Sequence, residues 1–247
     1  MQHIVIIGAT SAMAEQCARL WVQSAPVRLT LVGRDELRTI RVADDLRVRS
    51  PQSQILVITS EFVNALAIQK TVDSVFAKAA VDIVLIAHGV LSDQSSCQDD
   101  VVACHEALQI NGISPVLFAE AFAKRMVAAN HGTIAVIGSV AGDRGRKTNY
   151  AYGAAKGLVF RYTQGMQHRL AQTGVKVVLI KPGPTDTPMT SELKAKGQKM
   201  ASVEQVAQDI VKGIAAGKAV VYSPGIWKII MLVVMHLPRF IFDKLDI

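Results

Sequence analysis

Cysteine is scarce in this chain: Cys17, Cys97 and Cys104 are an odd count with no paired or ligand-like spacing. That argues against a disulfide framework or a zinc site and fits reduced thiols in a cytoplasmic setting. Aromatic residues make up only 5%. A nucleic-acid surface, which interleaves aromatics with a basic stripe, has no counterpart here. No charged and cleavable leader opens the chain, because Met1-Gln2-His3 runs straight into a short apolar strand. Carboxylates are outnumbered, with 20 Asp and Glu against 27 Lys and Arg and a formal charge of +7. The excess implies an anionic partner, and a phosphorylated cofactor and an anionic membrane surface are the candidates left.

What the chain does have is aliphatic. Half of its 247 residues are hydrophobic and 19% are charged, enough for a substantial core. Apolar runs at 4–7, 29–32, 55–58, 81–86, 133–137, 175–180 and 219–222 are short and rich in β-branched residues, interrupted by a charge only at Asp82 and Lys176. Such runs mark strands buried on both faces of a parallel sheet. Helical spacing fills the intervals at 14–23, 35–49, 62–80, 101–130 (interrupted near Gly112 and Pro115), 152–173 and 203–216. The alternation predicts an α/β fold: a Rossmann-like, doubly wound parallel sheet in three αβα layers. Residues 1–224 form one Rossmann-like domain in this reading, and 225–247 a hydrophobic C-terminal tail.

The first strand runs into Gly8-Ala9-Thr10-Ser11-Ala12-Met13-Ala14. A strand, a tight turn of small residues and a helix, in that order, aim backbone N–H groups and a helix N-terminus at a phosphate. Gly8 makes the turn, Thr10 and Ser11 offer hydroxyls, and Ala12 keeps the approach small. A plain strand–helix connection with a capping hydroxyl is the competing reading. Arg34 follows the second strand, 20 residues after Ala14. A dinucleotide fold reads the adenosine ribose near there, and an arginine suits a 2′-phosphate where an acid would suit a 2′-hydroxyl. NADP is thereby preferred over NAD, although Asp35 follows at once. Ala87-His88-Gly89 close the fourth strand and let a cofactor lie against its end, with His88 positioning backbone in the cleft.

Tyr152 and Lys156 are four residues apart and share a face if their segment is a helix. An ammonium beside a phenol favours the phenolate, which helps a group whose reference pKa is about 10. Ser139 stands 13 residues earlier, at the C-terminal end of the strand 133–137.

With these landmarks in order, the chain resembles the classical short-chain dehydrogenase/reductases over residues 3–223. The landmarks are the Gly8–Ala14 turn, Ala87-His88-Gly89, Asn111, Ser139, Tyr152 with Lys156, and Pro182-Gly183 followed by Thr187. Two departures stand out. Ala12 and Ala14 replace the glycines that usually accompany Gly8, and Ile86-Ala87-His88-Gly89 replaces Asn-Asn-Ala-Gly. An acidic residue common after the third strand is replaced by Thr59-Ser60. The resemblance implies an NAD(P)(H)-dependent oxidoreductase with reversible hydride transfer between a carbonyl and a secondary alcohol. Tyr152 would be its acid–base, and Lys156 would tune the tyrosine and hold the nicotinamide ribose. Ser139 would bind the substrate oxygen, and Asn111 would hold a relay water in a kinked helix. Pro182, Gly183, Thr185 and Thr187 would line the nicotinamide end. It also implies a substrate lid near 191–199, and a homodimer or homotetramer built on the helices at 101–130 and 152–173. A catalytically silent NADP-binding sensor or scaffold is the alternative.

The tail reads Gly-Ile-Trp-Lys-Ile-Ile-Met-Leu-Val-Val-Met-His-Leu-Pro-Arg-Phe-Ile-Phe from Gly225. Ile226, Ile229, Ile230, Val233, Val234, Leu237, Phe240 and Ile241 form a helical stripe, with Lys228, His236, Arg239 and Asp243 mostly opposite. Spanning a bilayer takes about 20 apolar residues, so a helix lying in the membrane interface fits better. A subunit-interface helix and a wall of the substrate pocket are the other readings. The Gly-Ala-Thr-Ser-Ala turn, the Ala-His-Gly closure and the tail together make the chain similar to polyprenylphosphoryl keto-pentose reductases of bacterial cell-wall sugar synthesis. That resemblance implies a lipophilic or lipid-linked substrate and a place on the inner face of the membrane.

Overall fold

The computed structural model describes residues 1–245; Asp246 and Ile247, the last two residues of the expected tail, lie outside it. In chain order the elements are β1 (His3–Ile7), α1 (Ala12–Ser24), β2 (Arg28–Gly33), α2 (Glu36–Arg49), β3 (Gln54–Thr59), α3 (Ala65–Phe76) and β4 (Ile83–Ile86). Then come α4 (Gln94–Asp99), α5 (Val101–Leu108), a π turn (Gln109–Ile113), α6 (Ser114–Ala129), β5 (Gly132–Ile137), a 3-10 turn (Val140–Gly142) and α7 (Tyr150–Leu170). β6 (Val175–Pro182), a second 3-10 turn (Pro188–Thr190), α8 (Ser191–Ala195), α9 (Val203–Ala215), β7 (Val220–Ser223), α10 (Trp227–His236) and α11 (Arg239–Phe242) complete it.

The seven strands form one parallel sheet in the order β3-β2-β1-β4-β5-β6-β7. Side chains alternate across it. Ile4 and Ile6 join one apolar layer with Leu29, Leu31, Leu85 and the helices α1, α2 and α9. Val5 and Ile7 join the other with Val84, Ile86, Phe118, Phe122 and the helices α3, α6 and α7. A strand covered on both faces has no use for polar alternation, which is why the runs are mostly apolar. The chain reverses its direction of winding between β1 and β4, so a crevice opens there at the strands' C-terminal ends.

Boundaries differ from expectation where a side chain intervenes. α3 begins at Ala65 because the Asn64 side chain accepts the Ala67 N–H at 3.0 Å and caps it. The long helix is broken as expected, by a π turn centred on Asn111. The tail is two short helices, because Leu237 is extended (ψ 128°) before Pro238.

Candidate active site

The expected residues stand on the segments that follow β1, β2, β4, β5 and β6 at the C-terminal edge of the sheet, and on the π turn and α7 beside it. Gly8 has φ +85°, where a side chain would be strained, and a Cβ there would lie 2.7 Å from the His88 backbone nitrogen. Its N–H and that of Ala9 bond the Val32 carbonyl at 2.9 and 3.1 Å, which folds the turn over β2. Ser11 occupies the N-cap of α1 without a side-chain capping bond. Thr10, Ser11, Ala12 and Met13 are partly exposed, so the first turn of α1 faces the cleft with its N–H groups uncapped. This fits a pyrophosphate.

Arg34 is exposed and has no hydrogen bond or ion pair among the described residues. The carboxylate of Asp35 accepts the Arg38 N–H at 3.0 Å and caps α2. Gly33 packs so closely on the Thr39 hydroxyl that a Cβ would collide with it.

His88 lies in the core. Its ring packs between Phe62 and Phe118, with centroids 4.8 and 5.6 Å away, and its Nε2 is 2.8 Å from Ser114 Oγ. Ser114 Oγ donates to the Phe62 carbonyl, so the ring donates through Nε2 and leaves Nδ1, buried and unpartnered, as an acceptor. Burial first, then the fields of Lys156 and Arg34, depress its pKa to about 3. Ala87 extends β4 through its N–H to the Ile7 carbonyl (2.8 Å).

Ser139, Tyr152 and Lys156 meet because backbone packs on backbone. A Cβ on Gly142 would lie 2.6 Å from the Lys156 carbonyl carbon, and one on Gly153 would lie 3.0 Å from the Ala141 carbonyl oxygen. Only glycines let the 3-10 turn approach α7 so closely, and that approach lays Ser139 against Tyr152. The Ser139 hydroxyl accepts the Ala141 N–H at 3.1 Å and lies near enough to the Tyr152 phenol to oppose the upward shift of its pKa. Lys156 is 3% exposed; its Nζ donates to the Ile137 carbonyl at 3.1 Å and stands 5.8 Å from the Tyr152 ring centroid. Asn111 is fully buried, with Oδ1 accepting from Val90 N–H (2.8 Å) and Nδ2 donating to the Ala107 carbonyl (3.0 Å). It thereby ties the loop after β4 to the π turn.

One expectation is reversed. Lys156 does not make Tyr152 acidic here. Burial pushes the phenol up to about 12, against a smaller opposing effect from the Ser139 hydroxyl, and burial lowers Lys156 to about 8. The resting pair near neutrality is therefore phenol and ammonium.

Pro182 ends β6, and the Gly183 N–H bonds the Ser223 carbonyl at 2.9 Å. The hydroxyl of Thr185 donates to the Gly183 carbonyl (3.0 Å), and Thr187 and Thr190 form a capping box on the second 3-10 turn. Both threonines hold the loop itself.

Sequence reasoning missed several residues that shape the cleft. Gln94, on the unexpected helix α4, accepts the Ala151 N–H at 2.9 Å at the start of α7. The indole of Trp227 covers Gly183, where any Cβ would strike its Nε1. Lys181 and Asp143 form an ion pair at 2.5 Å with side chains 2% and 0% exposed, joined by Tyr222 Oη 3.1 Å from Asp143. The ammonium of Lys181 lies 3.2 Å from the Phe160 ring centroid. Only long-range packing reveals these roles.

A parallel sheet with its glycine turn at β1 and a Ser–Tyr–Lys set at β5 and α7 defines a dinucleotide-dependent oxidoreductase class. The family model described as short chain dehydrogenase matches residues 2–198. The chain belongs to the short-chain dehydrogenase family. It is 26% identical over 244 residues to an uncharacterised oxidoreductase of Streptomyces coelicolor, covering 99% of this chain and 96% of that one. Its fold matches a Sphingobium yanoikuyae short-chain dehydrogenase in complex with NADPH (TM-score 0.83, 20% identity, 97% of each chain). It also matches a bulky-bulky ketone specific alcohol dehydrogenase of Comamonas testosteroni (TM-score 0.79, 20% identity, 97% of this chain and 96% of that one).

Proposed function

We propose that this oxidoreductase is an NADPH-dependent carbonyl reductase acting on a lipophilic or lipid-linked ketone. The observation that carries the reading is the close backbone junction of the 3-10 turn after Ser139 with α7, the helix that carries Tyr152 and the buried Lys156 ammonium. Bound NADPH supplies the hydride. Gly8, Thr10, Ser11, Ala12 and Met13 would hold its pyrophosphate. Arg34, without a hydrogen-bond or ion-pair partner among the described residues and beside a carboxylate already engaged in capping, would hold the 2′-phosphate. Ala87 to Gly89, and Pro182, Gly183, Thr185 and Thr187, would flank the rest of the cofactor.

The protein's part is proton and charge management. The Ser139 hydroxyl and Tyr152 phenol hydrogen-bond the carbonyl oxygen and stabilise the charge that develops on it. A phenol with pKa about 12 is protonated near neutrality and gives its proton to the alkoxide. Lys156 then returns a proton to Tyr152 and holds the ribose. Both ends of the Asn111 amide are engaged, so a relay water would sit on a carbonyl opened by the π turn.

The lipophilic substrate is supported by the indole at Gly183 and by the tail behind it. α10 has ten residues, about 15 Å of helix, half the thickness of a bilayer core. Trp227, Met231 and Val234 face the protein, while Ile226, Ile229, Ile230 and Val233 form an exposed stripe, Ile229 at 61%. Phe240 adds to it at 70%, among Lys228, Arg239 and Lys244. This supports a helix docked in an anionic interface on the cytoplasmic side, delivering substrate past Trp227. The same features support a polyprenylphosphoryl keto-sugar as the substrate. Exposed Val127, Leu158 and Tyr162 on α6 and α7 support a homo-oligomeric contact there.

The test is NADPH oxidation against a panel of ketones, lipid-linked ones included. Tyr152→Phe should keep the fold and cofactor binding and lose at least a thousandfold in kcat. Turnover within tenfold of the parent would remove Tyr152 as the acid.

A further inference from the structure

The loop between the first 3-10 turn and α7 carries Arg144, Arg146 and Lys147. Its other charges have structural work. Asp143 is taken by Lys181 and Tyr222. Arg144 Nη1 donates to the carbonyls of Val234 and Leu237 at 2.6 and 2.8 Å, and its guanidinium lies 3.6 Å from the Phe242 ring centroid. Arg146 has no such employment. It is half-buried, and its Nε is closed off from solvent with no acceptor among the described residues. Burial alone lowers its pKa, with no carboxylate opposing the shift. Asn149, whose N–H closes a turn on the Arg146 carbonyl at 3.1 Å, has a buried Oδ1 that is also unpartnered.

A buried donor left without an acceptor is destabilising, the more so when it belongs to a charged group. Such a deficit calls for something that supplies the acceptor. Position narrows the supplier. Arg146 lies between Ser139 and Tyr152, and both ends of its loop are fixed, to the 3-10 turn packed on Lys156 and to the start of α7 held by Gln94. The turn that would hold the cofactor's pyrophosphate follows β1 and Arg34 follows β2, whereas this loop follows β5, beyond β4. The first turn of α7 carries no acid to repel an anion.

We propose that Arg146 is a specificity-determining residue that binds an anionic group, phosphate or carboxylate, carried by the carbonyl substrate. The guanidinium fork matches either group, and Asn149 Oδ1 accepts from a substrate hydroxyl beside it. This assignment rests on the carbonyl-reductase reading and narrows its substrate class.

The test compares three matched ten-carbon ketones ending in phosphate, carboxylate or hydroxyl, with the full chain and NADPH. For one of the anionic ketones kcat/KM should exceed that of the neutral one by tenfold or more, through KM, and the better of the two identifies the group. In Arg146→Gln that ratio should fall to near one, and Arg146→Lys should restore part of it. Equal kcat/KM for charged and neutral ketones, or a ratio that survives Arg146→Gln, overturns the assignment. A binding measurement separates this from failure of the reductase reading. With NADP bound, inorganic phosphate titrated calorimetrically should bind at least tenfold more weakly to Arg146→Gln than to the parent. If no ketone is reduced, the reductase reading falls, and this titration still decides Arg146. No phosphate binding, or binding that Arg146→Gln leaves unchanged, then refutes it.

Discussion

The 3-10 turn at Gly142 and the tail at Trp227 both lean on the C-terminal edge of the sheet, and they are held there in opposite ways. The turn is held by backbone against backbone, with no side chain between Gly142 and Lys156. The tail hangs on side chains: an indole over Gly183, and an arginine that bonds the last carbonyls of α10 and stacks on Phe242. Backbone contact tolerates no adjustment, because interiors pack to near-crystalline density and a methyl group has nowhere to go. Side-chain contact can be rebuilt around different neighbours. On the proposed reading the chemistry would sit on the rigid support and the delivery of a lipophilic substrate on the adjustable one.

Three measurements would break or sharpen that contrast. The largest effect should come from Gly142→Val, which drives the 3-10 turn off α7 and parts Ser139 from Tyr152. We expect kcat to fall at least a hundredfold while far-UV circular dichroism and NADP binding persist. A kcat within threefold of the parent would show that the close approach is dispensable.

On the tail, Ile229→Asp with Val233→Asp places two charges on the exposed stripe without touching Trp227, Met231 or Val234. Sedimentation with vesicles rich in anionic lipid should show binding reduced tenfold or more, and kcat toward a small water-soluble ketone kept within twofold. Parent protein that stays in the supernatant with such vesicles would end the interfacial reading of the tail.

The smallest effect is the pH profile of the reduction. Lys156, with its pKa lowered to about 8, loses the proton that recharges Tyr152 as pH rises, whereas Tyr152 stays protonated to about 12. The rate should be flat below pH 7, halved near pH 8 and falling roughly tenfold per unit beyond it. A rate unchanged to pH 10 would remove Lys156 from the proton path.

The strands were legible because each is a short, mostly aliphatic run, and Ser139, Tyr152 and Lys156 because their spacing matches a strand end and one helix face. Local patterns carry that information. The inverted pKa relation between Tyr152 and Lys156 was not legible, since spacing reports neighbours and not the loss of water around them. Helix α4 is a polar Gln-Ser-Ser-Cys-Gln-Asp stretch with no apolar period, and its purpose, to present Gln94 to Ala151, lies 57 residues away. Trp227 and Arg144 read as ordinary residues until the fold sets one on Gly183 and the other under α10. The tail's stripe was visible, and its division was not: Val234 turns inward, Ile229 outward, and the helix stops at Leu237.

The tight seat of Gly33 against Thr39 bears on how this chain could ever change coenzyme. An acid aimed at a ribose hydroxyl belongs at the end of β2, yet no side chain fits there while the threonine hydroxyl fills the space and bonds the Asp35 carbonyl at 2.7 Å. Asp35 is no substitute acceptor, because moving its carboxylate would uncap α2. An acid at Gly33 therefore needs Thr39 to shrink first, so the end of β2 is guarded from inside a neighbouring helix.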